Sequence, residues 1–294
     1  MIQLSPDDHV GKAIAWILLG VVGGLLLDLF AKELLRTYSL QQFVLLRSII
    51  AILIMLAIAP RLGGLRSLRS DKAGWHVLRS ILAVGAMFGF FYGLSKMPLV
   101  NAFTLGYTAP LMMTALSAIF LHEPVGWRRW TAVAMGFTGA LIMLRPGSGT
   151  VSWPSIAVLI AAFCYACQAI TARKLNLTES TLSLSFYAVF GPMLVALAVL
   201  DNASWQSPDL TGWALLFGAG VSSALAWVGL VNGYRAASPA LLAPLEYIAL
   251  IGGAIAGYLI WDEVPDRWVV VGAMIIVASG LFVVYRSKEA SAVT

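Results

Sequence analysis

The chain has 294 residues, of which 60% are hydrophobic and 11% charged, and its mean hydropathy is +0.87. A soluble domain carries roughly 25% charged residues, so this composition excludes one and predicts a multi-pass membrane protein. The 19 basic and 14 acidic residues give a net charge of +5. Because the basic residues are scattered over short connections, they indicate membrane topology rather than nucleic-acid binding.

Ten apolar runs follow one another along the chain, each close to the roughly 20 residues that a bilayer crossing needs. They predict transmembrane helices over residues 12–34, 40–59, 75–95, 99–121, 127–144, 153–172, 181–200, 211–233, 238–261 and 266–285. The connections are short and carry turn or charge signals, which leaves no room for a soluble domain. We therefore expect an all-α fold whose function lies within the membrane.

The basic residues also predict the orientation. If the N-terminus is cytoplasmic, most of the 19 basic residues fall on the cytoplasmic side. The longest basic connection, residues 61–74, then faces the cytoplasm, as the positive-inside rule requires. Both termini are predicted to be cytoplasmic.

The two halves of the sequence repeat one another. Gly93 before a polar break recurs as Gly233, and Glu123 after the next helix recurs as Glu263, both at an offset of 140 residues. The repeat predicts two copies of a five-helix unit, over residues 12–145 and 153–286. Because five is odd, the second copy is inserted upside down, and such inverted repeats place a substrate site near the membrane midplane and permit alternating access.

Several stretches carry a family resemblance. In the first half these are Phe91 to Leu94, Leu99 to Ala102, Tyr107 to Leu111 and Leu121 to Trp130, and in the second half Ala243 to Tyr247 with Glu263. Together they resemble the EamA repeat of the drug/metabolite transporter superfamily over nearly the whole chain. The resemblance implies a secondary transporter of small organic solutes in a bacterial inner membrane. It also implies a central cavity bordered mainly by helices 1, 3, 4, 6, 8 and 9. Members move amino acids, S-adenosylmethionine, riboflavin, metallophores or toxic compounds, some inward and some outward.

The two repeats differ at one charged position. Glu246 lies about two turns into the ninth predicted helix, and the matching residue of the first repeat is Gly106. A carboxylate inside a span is costly and usually marks function, so Glu246 is a candidate to bind a substrate amine or to carry a coupling proton. The alternative is a fixed ion pair that joins two helices.

Two further charges lie inside predicted spans. Arg47 can bind a substrate carboxylate or phosphate through its planar guanidinium, pair with Asp28, or extend to the interface. Asp28 can act as a gate or substrate ligand, or pair with Lys32 one turn later on the same helix.

A softer set of candidates consists of aromatic and amide side chains within the spans, which can stack on a planar or cationic solute and orient it. These are Tyr92, Asn101, Tyr107, Tyr165, Gln168, Trp227 and Tyr247. Each can equally be a packing residue, with its polar group bonded to a neighbouring helix. Pro110, Pro192 and Pro244 are predicted to kink or hinge their helices.

The sequence offers no constellation for catalysis. His9, His76 and His122 fall at or outside predicted helix ends, without metal-ligand spacing, and no phosphate-binding Gly-rich loop occurs. We expect no enzyme activity, metal, cofactor or nucleic-acid partner, only a small-molecule substrate and the bilayer. The best prediction is a transporter of an amino acid or an aromatic metabolite. A multidrug exporter, a membrane-embedded enzyme and a channel remain alternatives, as do the monomer and the homodimer.

Overall fold

A computed structural model describes residues 6–62, 64–70, 72–120, 126–145, 152–175, 179–236 and 239–291. These residues form eleven α-helices and no strand. The helices are α1 (Pro6–Leu34), α2 (Leu40–Ile58), α3 (Ala73–Lys96), α4 (Leu99–Gly106), α5 (Ala109–Phe120), α6 (Trp127–Leu144), α7 (Trp153–Leu175), α8 (Thr181–Ala198), α9 (Leu210–Ala236), α10 (Pro239–Trp261) and α11 (Arg267–Ser291).

Among the described residues, seven helical segments are long and apolar enough to cross a membrane, and three further apolar helices are shorter. The shorter ones are Trp130–Leu144, Leu245–Trp261 and Arg267–Val283. Each of these segments overlaps one predicted run, so the all-α multi-pass prediction is confirmed.

The fourth predicted span is not one helix. It is divided between α4 and α5, with a turn at Tyr107 and Thr108. Pro110 has no N–H to donate to the carbonyl of Gly106, whereas proline fits well in the first turn of a new helix. The hydroxyl of Thr108 donates to the carbonyl of Leu105 at 2.6 Å and so satisfies one acceptor at the break. The kink predicted at Pro110 is therefore a short turn that interrupts the helix within the span, while α8 continues through Pro192.

One compact unit, unit 1, contains Met1–Val84 and Lys174–Ala249. In it α1 packs along α9, and α2 packs against α8 and α9. Glycines allow the close approach of α1 to α9, because a Cβ on Gly20 would lie 2.7 Å from the backbone nitrogen of Leu230. A Cβ on Gly23 would lie 2.9 Å from the nitrogen of Ala226. Small residues serve this purpose generally in membrane helices.

The second compact unit, unit 2, contains Gly85–Arg173 and Leu250–Thr294. Its α11 packs along α6, where a Cβ on Gly139 would lie 2.9 Å from the carbonyl oxygen of Gly272. Each unit takes residues from both halves of the sequence. The repeat boundaries at 12–145 and 153–286 remain a prediction.

The side chain of Glu263 binds the N-terminus of one helix in unit 2. Glu263 Oε2 accepts a 2.8 Å hydrogen bond from the backbone N–H of Leu99, the first residue of α4. This bond satisfies a donor that the helix itself leaves unpaired. Glu263 therefore caps this helix end; Glu123, its match in the first repeat, lies outside the described residues.

Candidate functional site

A buried charged group lies within the spans of unit 1. Arg47 on α2 is 0% exposed, and its Nη1 donates to the hydroxyl of Ser223 on α9 at 2.6 Å. The charge of Asp28 on α1 interacts with that of Arg47. The guanidinium carbon also lies 5.9 Å from the centroid of the Phe43 ring. Complete burial excludes an arginine that extends to the interface, while an ion pair between Asp28 and Arg47 remains a prediction.

Local sequence explains where Arg47 lies. Ser39 caps the N-terminus of α2, since its hydroxyl accepts from the backbone N–H of Gln42 at 3.3 Å. Arg47 follows about two turns later, inside an otherwise apolar helix. A charge in hydrocarbon is costly unless it is compensated, and the hydroxyl of Ser223 on α9 and the charge of Asp28 on α1 supply part of that compensation.

Glu246 is half-buried on α10 in unit 1. Its neighbours Leu245 and Ala249 pack against a small cluster on α1 that includes Ile17 and Val21. The next residue, Tyr247, is buried, and the charge of Glu246 acts on it. The carboxylate therefore lies next to the face of α10 that packs on α1.

Trp227 is the remaining candidate in unit 1. It is half-buried and packs against an apolar cluster that includes Met55 of α2 and Leu182 and Val189 of α8. Four residues separate it from Ser223, so both lie on one face of α9. Trp227 therefore has packing contacts and lies one turn from the partner of Arg47.

The other five candidates belong to unit 2 and form a separate set. Tyr107 lies at the break between α4 and α5 and packs against an apolar cluster, while Asn101 is half-buried on α4. On α7, Tyr165 is half-buried and Gln168 is 3% exposed. Tyr92 on α3 is 39% exposed. A role in substrate binding remains a prediction for all ten candidates.

Sequence reasoning missed two features. It did not identify Ser223 as the partner of Arg47, although the spacing of Ser223 and Trp227 indicated a shared helix face. It also set His76 aside, and the structure shows His76 Nε2 3.1 Å from Glu179 Oε2, with both side chains buried. The only signal for Glu179 was its position just before Ser180, the N-cap of α8.

Ten apolar helical segments, with charges buried inside the spans, define a polytopic membrane protein. The chain belongs to the EamA-like transporter family, whose model matches residues 11–145 and again residues 152–285. The family resemblance seen in the sequence is confirmed, and the protein is a membrane transporter rather than an enzyme.

Similar proteins are transporters of small molecules. The chain is 30% identical over 277 residues to an S-adenosylmethionine uptake transporter of Rickettsia bellii, a match that covers 94% of each chain. It is 34% identical over 238 residues to a riboflavin transporter of Vibrio cholerae, covering 80% of this chain and 79% of the relative. One crystal structure shares the fold with a TM-score of 0.68 and 17% identity, covering 97% of this chain and 99% of that one.

Proposed function

We propose that this chain is a secondary transporter of the bacterial inner membrane that moves a small zwitterionic metabolite by alternating access. The observation that carries the proposal is the fully buried cation Arg47, which donates to Ser223 and interacts with the charge of Asp28 inside the spans of unit 1. A buried arginine can bind a carboxylate in a bidentate geometry, which the carboxylate of an amino-acid group fits.

S-adenosylmethionine is the first candidate substrate. It carries a carboxylate for Arg47, an ammonium and a sulfonium for acidic groups such as Glu246 or Asp28, and an adenine ring for aromatic side chains. Relatives named S-adenosylmethionine uptake transporters match almost the full length of this chain, which supports the choice. A riboflavin-like solute has no carboxylate, and so it makes no use of the buried arginine.

Transport by the purified chain in proteoliposomes tests the proposal. We expect uptake of labelled S-adenosylmethionine that saturates with concentration and is inhibited by the unlabelled compound, against empty liposomes as the baseline. Riboflavin serves as the alternative solute in the same vesicles. Flux of riboflavin alone would overturn the substrate assignment, flux without saturation would indicate a channel, and product formation without flux would indicate an enzyme.

Matched analogues identify the group that is recognised. S-adenosylhomocysteine lacks the sulfonium charge but keeps the amino-acid group and the adenine ring. If an acidic side chain binds the sulfonium, this analogue competes at least about tenfold more weakly, since loss of one charged contact costs on the order of 1.4 kcal/mol or more. Equal competition would leave the carboxylate and adenine as the recognised groups.

The proposed orientation places both termini in the cytoplasm. It rests on the excess of basic residues in the connections assigned to that side, above all residues 61–74. A reporter that fluoresces only in the cytoplasm, fused after Thr294, is expected to be active. A periplasmic phosphatase fused at the same position is expected to be silent, and the reverse pair of results would contradict the assignment.

A further inference from the structure

The connection between α2 and α3 carries a concentrated positive charge. Residues 61–74 contain four basic residues and one acidic residue, a net charge of +3. Three of the basic residues are exposed, namely Arg61, Arg66 and Arg69. The acidic residue, Asp71, lies outside the described residues. The proposed substrate site uses none of these side chains.

Arg66 and Arg69 lie on one side of the connection. Leu65–Leu68 form a 3-10 helix, and the backbone N–H of Arg69 donates to the carbonyl of Arg66 at 3.1 Å. Side chains three residues apart eclipse one another in a 3-10 helix. The two arginine side chains therefore leave the backbone in the same direction, where one anion can contact both.

Hydrogen bonds from α8 fix this segment in place. Ser180 donates to the carbonyl of Ser67 at 3.0 Å, and Tyr187 donates to the carbonyl of Leu68 at 3.2 Å. The side chain of Leu68 packs against the apolar cluster of α2 and α8. The inward face of the segment is thus held by other helices, and the two arginine side chains remain on the exposed face. A ligand that binds them does not have to order the backbone first, which lowers the cost of binding.

A buried carboxylate attaches the end of the same segment. Glu179, just before α8, is 7% exposed, and its Oε1 accepts from the hydroxyl of Ser70 at 2.7 Å. Its Oε2 accepts from the hydroxyl of Ser183 at 3.1 Å and lies 3.1 Å from His76 Nε2. Both oxygens are therefore bonded inside the protein. Glu179 strengthens the attachment and takes no place on the exposed face with the arginines.

Exposed apolar side chains indicate the depth of the segment in the membrane. Helix α3 begins at Ala73, and Val77, Leu78 and Ile81 on one side of it are exposed. In a transmembrane helix such a face contacts acyl chains. At a rise of 1.5 Å per residue, Val77 lies only about 6 Å beyond Ala73. Leu65 adds an exposed apolar side chain to the connection itself. The arginines thus lie at the level of the lipid headgroups, beside a surface that fits acyl chains.

We propose that Arg66 and Arg69 bind the phosphate of one anionic lipid of the cytoplasmic leaflet, whose acyl chains lie along the exposed face of α3. Guanidinium groups donate paired hydrogen bonds to phosphate oxygens, and Arg61 adds to the positive potential of the connection. A zwitterionic lipid carries its own cation beside the phosphate, so it gains less from two arginines. The leaflet follows from the proposed orientation, whereas the binding itself does not depend on it.

Native mass spectrometry of the full chain in detergent tests the site. Phosphatidylglycerol is compared with phosphatidylcholine of the same acyl chains, which has no net charge, and the dissociation constant of the first bound lipid is measured. We expect phosphatidylglycerol to bind the native chain more tightly. Arg66→Gln/Arg69→Gln should bind it about 25-fold more weakly, since each basic residue near an anionic surface is worth about a factor of five. Binding of phosphatidylcholine should not change.

Two further variants separate a local site from net charge. Lys96→Gln/Arg267→Gln is the matched control, because it also removes two exposed positive charges, at positions that the predicted orientation places on the other side of the membrane. It should bind phosphatidylglycerol as the native chain does. Arg66→Lys/Arg69→Lys keeps both charges and should retain most of the binding. Native affinity in Arg66→Gln/Arg69→Gln, or an equal loss in the matched control, would overturn the proposal.

Hydrogen exchange locates the bound lipid. Residues 64–70 should exchange more slowly in nanodiscs of phosphatidylglycerol than in nanodiscs of phosphatidylcholine, because a bound headgroup covers them. The difference should disappear in Arg66→Gln/Arg69→Gln and persist in the matched control. Equal exchange of the native chain in both lipids would refute lipid binding here, whichever solute the protein transports. The same protection by inorganic phosphate in phosphatidylcholine nanodiscs would identify a soluble anion and overturn the lipid assignment.

Discussion

Arg47 on α2 and Ser223 on α9 are 176 residues apart in sequence, yet a 2.6 Å hydrogen bond joins their side chains, and both are 0% exposed. The charge of Asp28 on α1 acts on the same guanidinium. A single cation therefore connects three helices of unit 1. Such a cation can stabilise the bundle, recognise a substrate, or do both.

Arg47→Met separates these roles. The change keeps an unbranched apolar stem but removes a fully buried cation, its hydrogen bond to Ser223 and its charge interaction with half-buried Asp28. Loss of one partner of a buried pair costs about 3–5 kcal/mol in other proteins. We expect a clear fall in the midpoint of thermal unfolding in detergent. The double variant Asp28→Asn/Arg47→Met should have a higher midpoint than Arg47→Met alone, because the remaining carboxylate is then removed.

Ser223→Ala is the matched control for the Arg47 variant. It removes one hydrogen bond to a charged group, which is worth about 1.5–3 kcal/mol, and should therefore destabilise less than Arg47→Met. If Arg47→Met unfolds at the native midpoint but no longer binds S-adenosylmethionine, the arginine recognises substrate and does not stabilise the bundle.

Glu246→Gln tests proton coupling. The amide keeps the shape of the side chain but cannot exchange a proton, so a pH gradient should no longer drive flux, while exchange of solute at equal pH persists. Glu33→Gln is the control, since Glu33 is a half-exposed acid that pairs with Arg36 at 3.4 Å. Gradient-driven flux that is equal in Glu246→Gln and in the native chain would show that the proton binds elsewhere.

Adjacent glycines on α1 give a packing test with an internal control. A Cβ on Gly23 would lie 2.9 Å from the nitrogen of Ala226, whereas a Cβ on Gly24 would meet no atom within 4 Å. Gly23→Ala must move a backbone, and we expect a loss of about 1–3 kcal/mol. Gly24→Ala should be neutral or stabilising by up to about 1 kcal/mol, because alanine favours helix. Equal unfolding midpoints in the two variants would contradict the close packing of α1 on α9.

The sequence predicted the positions of the spans well, because hydropathy over some 20 residues is a local property. It did not predict that the fourth span divides at Tyr107, although Pro110 had been singled out. A proline is compatible both with a kink inside a helix and with the first turn of a new one, and local sequence does not distinguish the two. The unbroken α8 around Pro192 illustrates the same ambiguity.

Pairing between distant helices was the least predictable feature. Arg47 with Ser223, and His76 with Glu179, join residues more than 100 positions apart. Which side chains meet depends on the rotation and depth at which two helices pack, and these follow from small residues such as Gly20 and Gly23. Apolar periodicity reports only that a helix is in the membrane, so it identified Arg47 as unusual without identifying its partner.

The last prediction concerns a charge outside the spans. Asp266 caps α11, since its Oδ1 accepts from the backbone N–H groups of Val269 at 3.0 Å and Trp268 at 2.8 Å, and Oδ2 pairs with Arg145. The bond from Val269, followed by those from Trp268 and Arg145, holds the pKa of Asp266 below its usual value, although partial burial acts in the opposite direction.

A lowered pKa makes the contribution of Asp266 depend on pH in a defined direction. The folded protein binds the proton less readily than the unfolded chain, whose aspartate has a pKa of about 3.9. The stabilisation is therefore fully present above that value and is lost as the pH falls through the lower pKa of the folded state. Asp266→Asn keeps a capping side chain but removes the charge. We expect the variant to unfold at a lower temperature than the native chain at pH 7, and the gap to close as the pH is lowered below about 4. Thermal unfolding in detergent, measured from pH 7 to below pH 4, tests this prediction. If the difference in unfolding temperature between the two proteins stays constant, hydrogen bonding rather than charge stabilises this helix end.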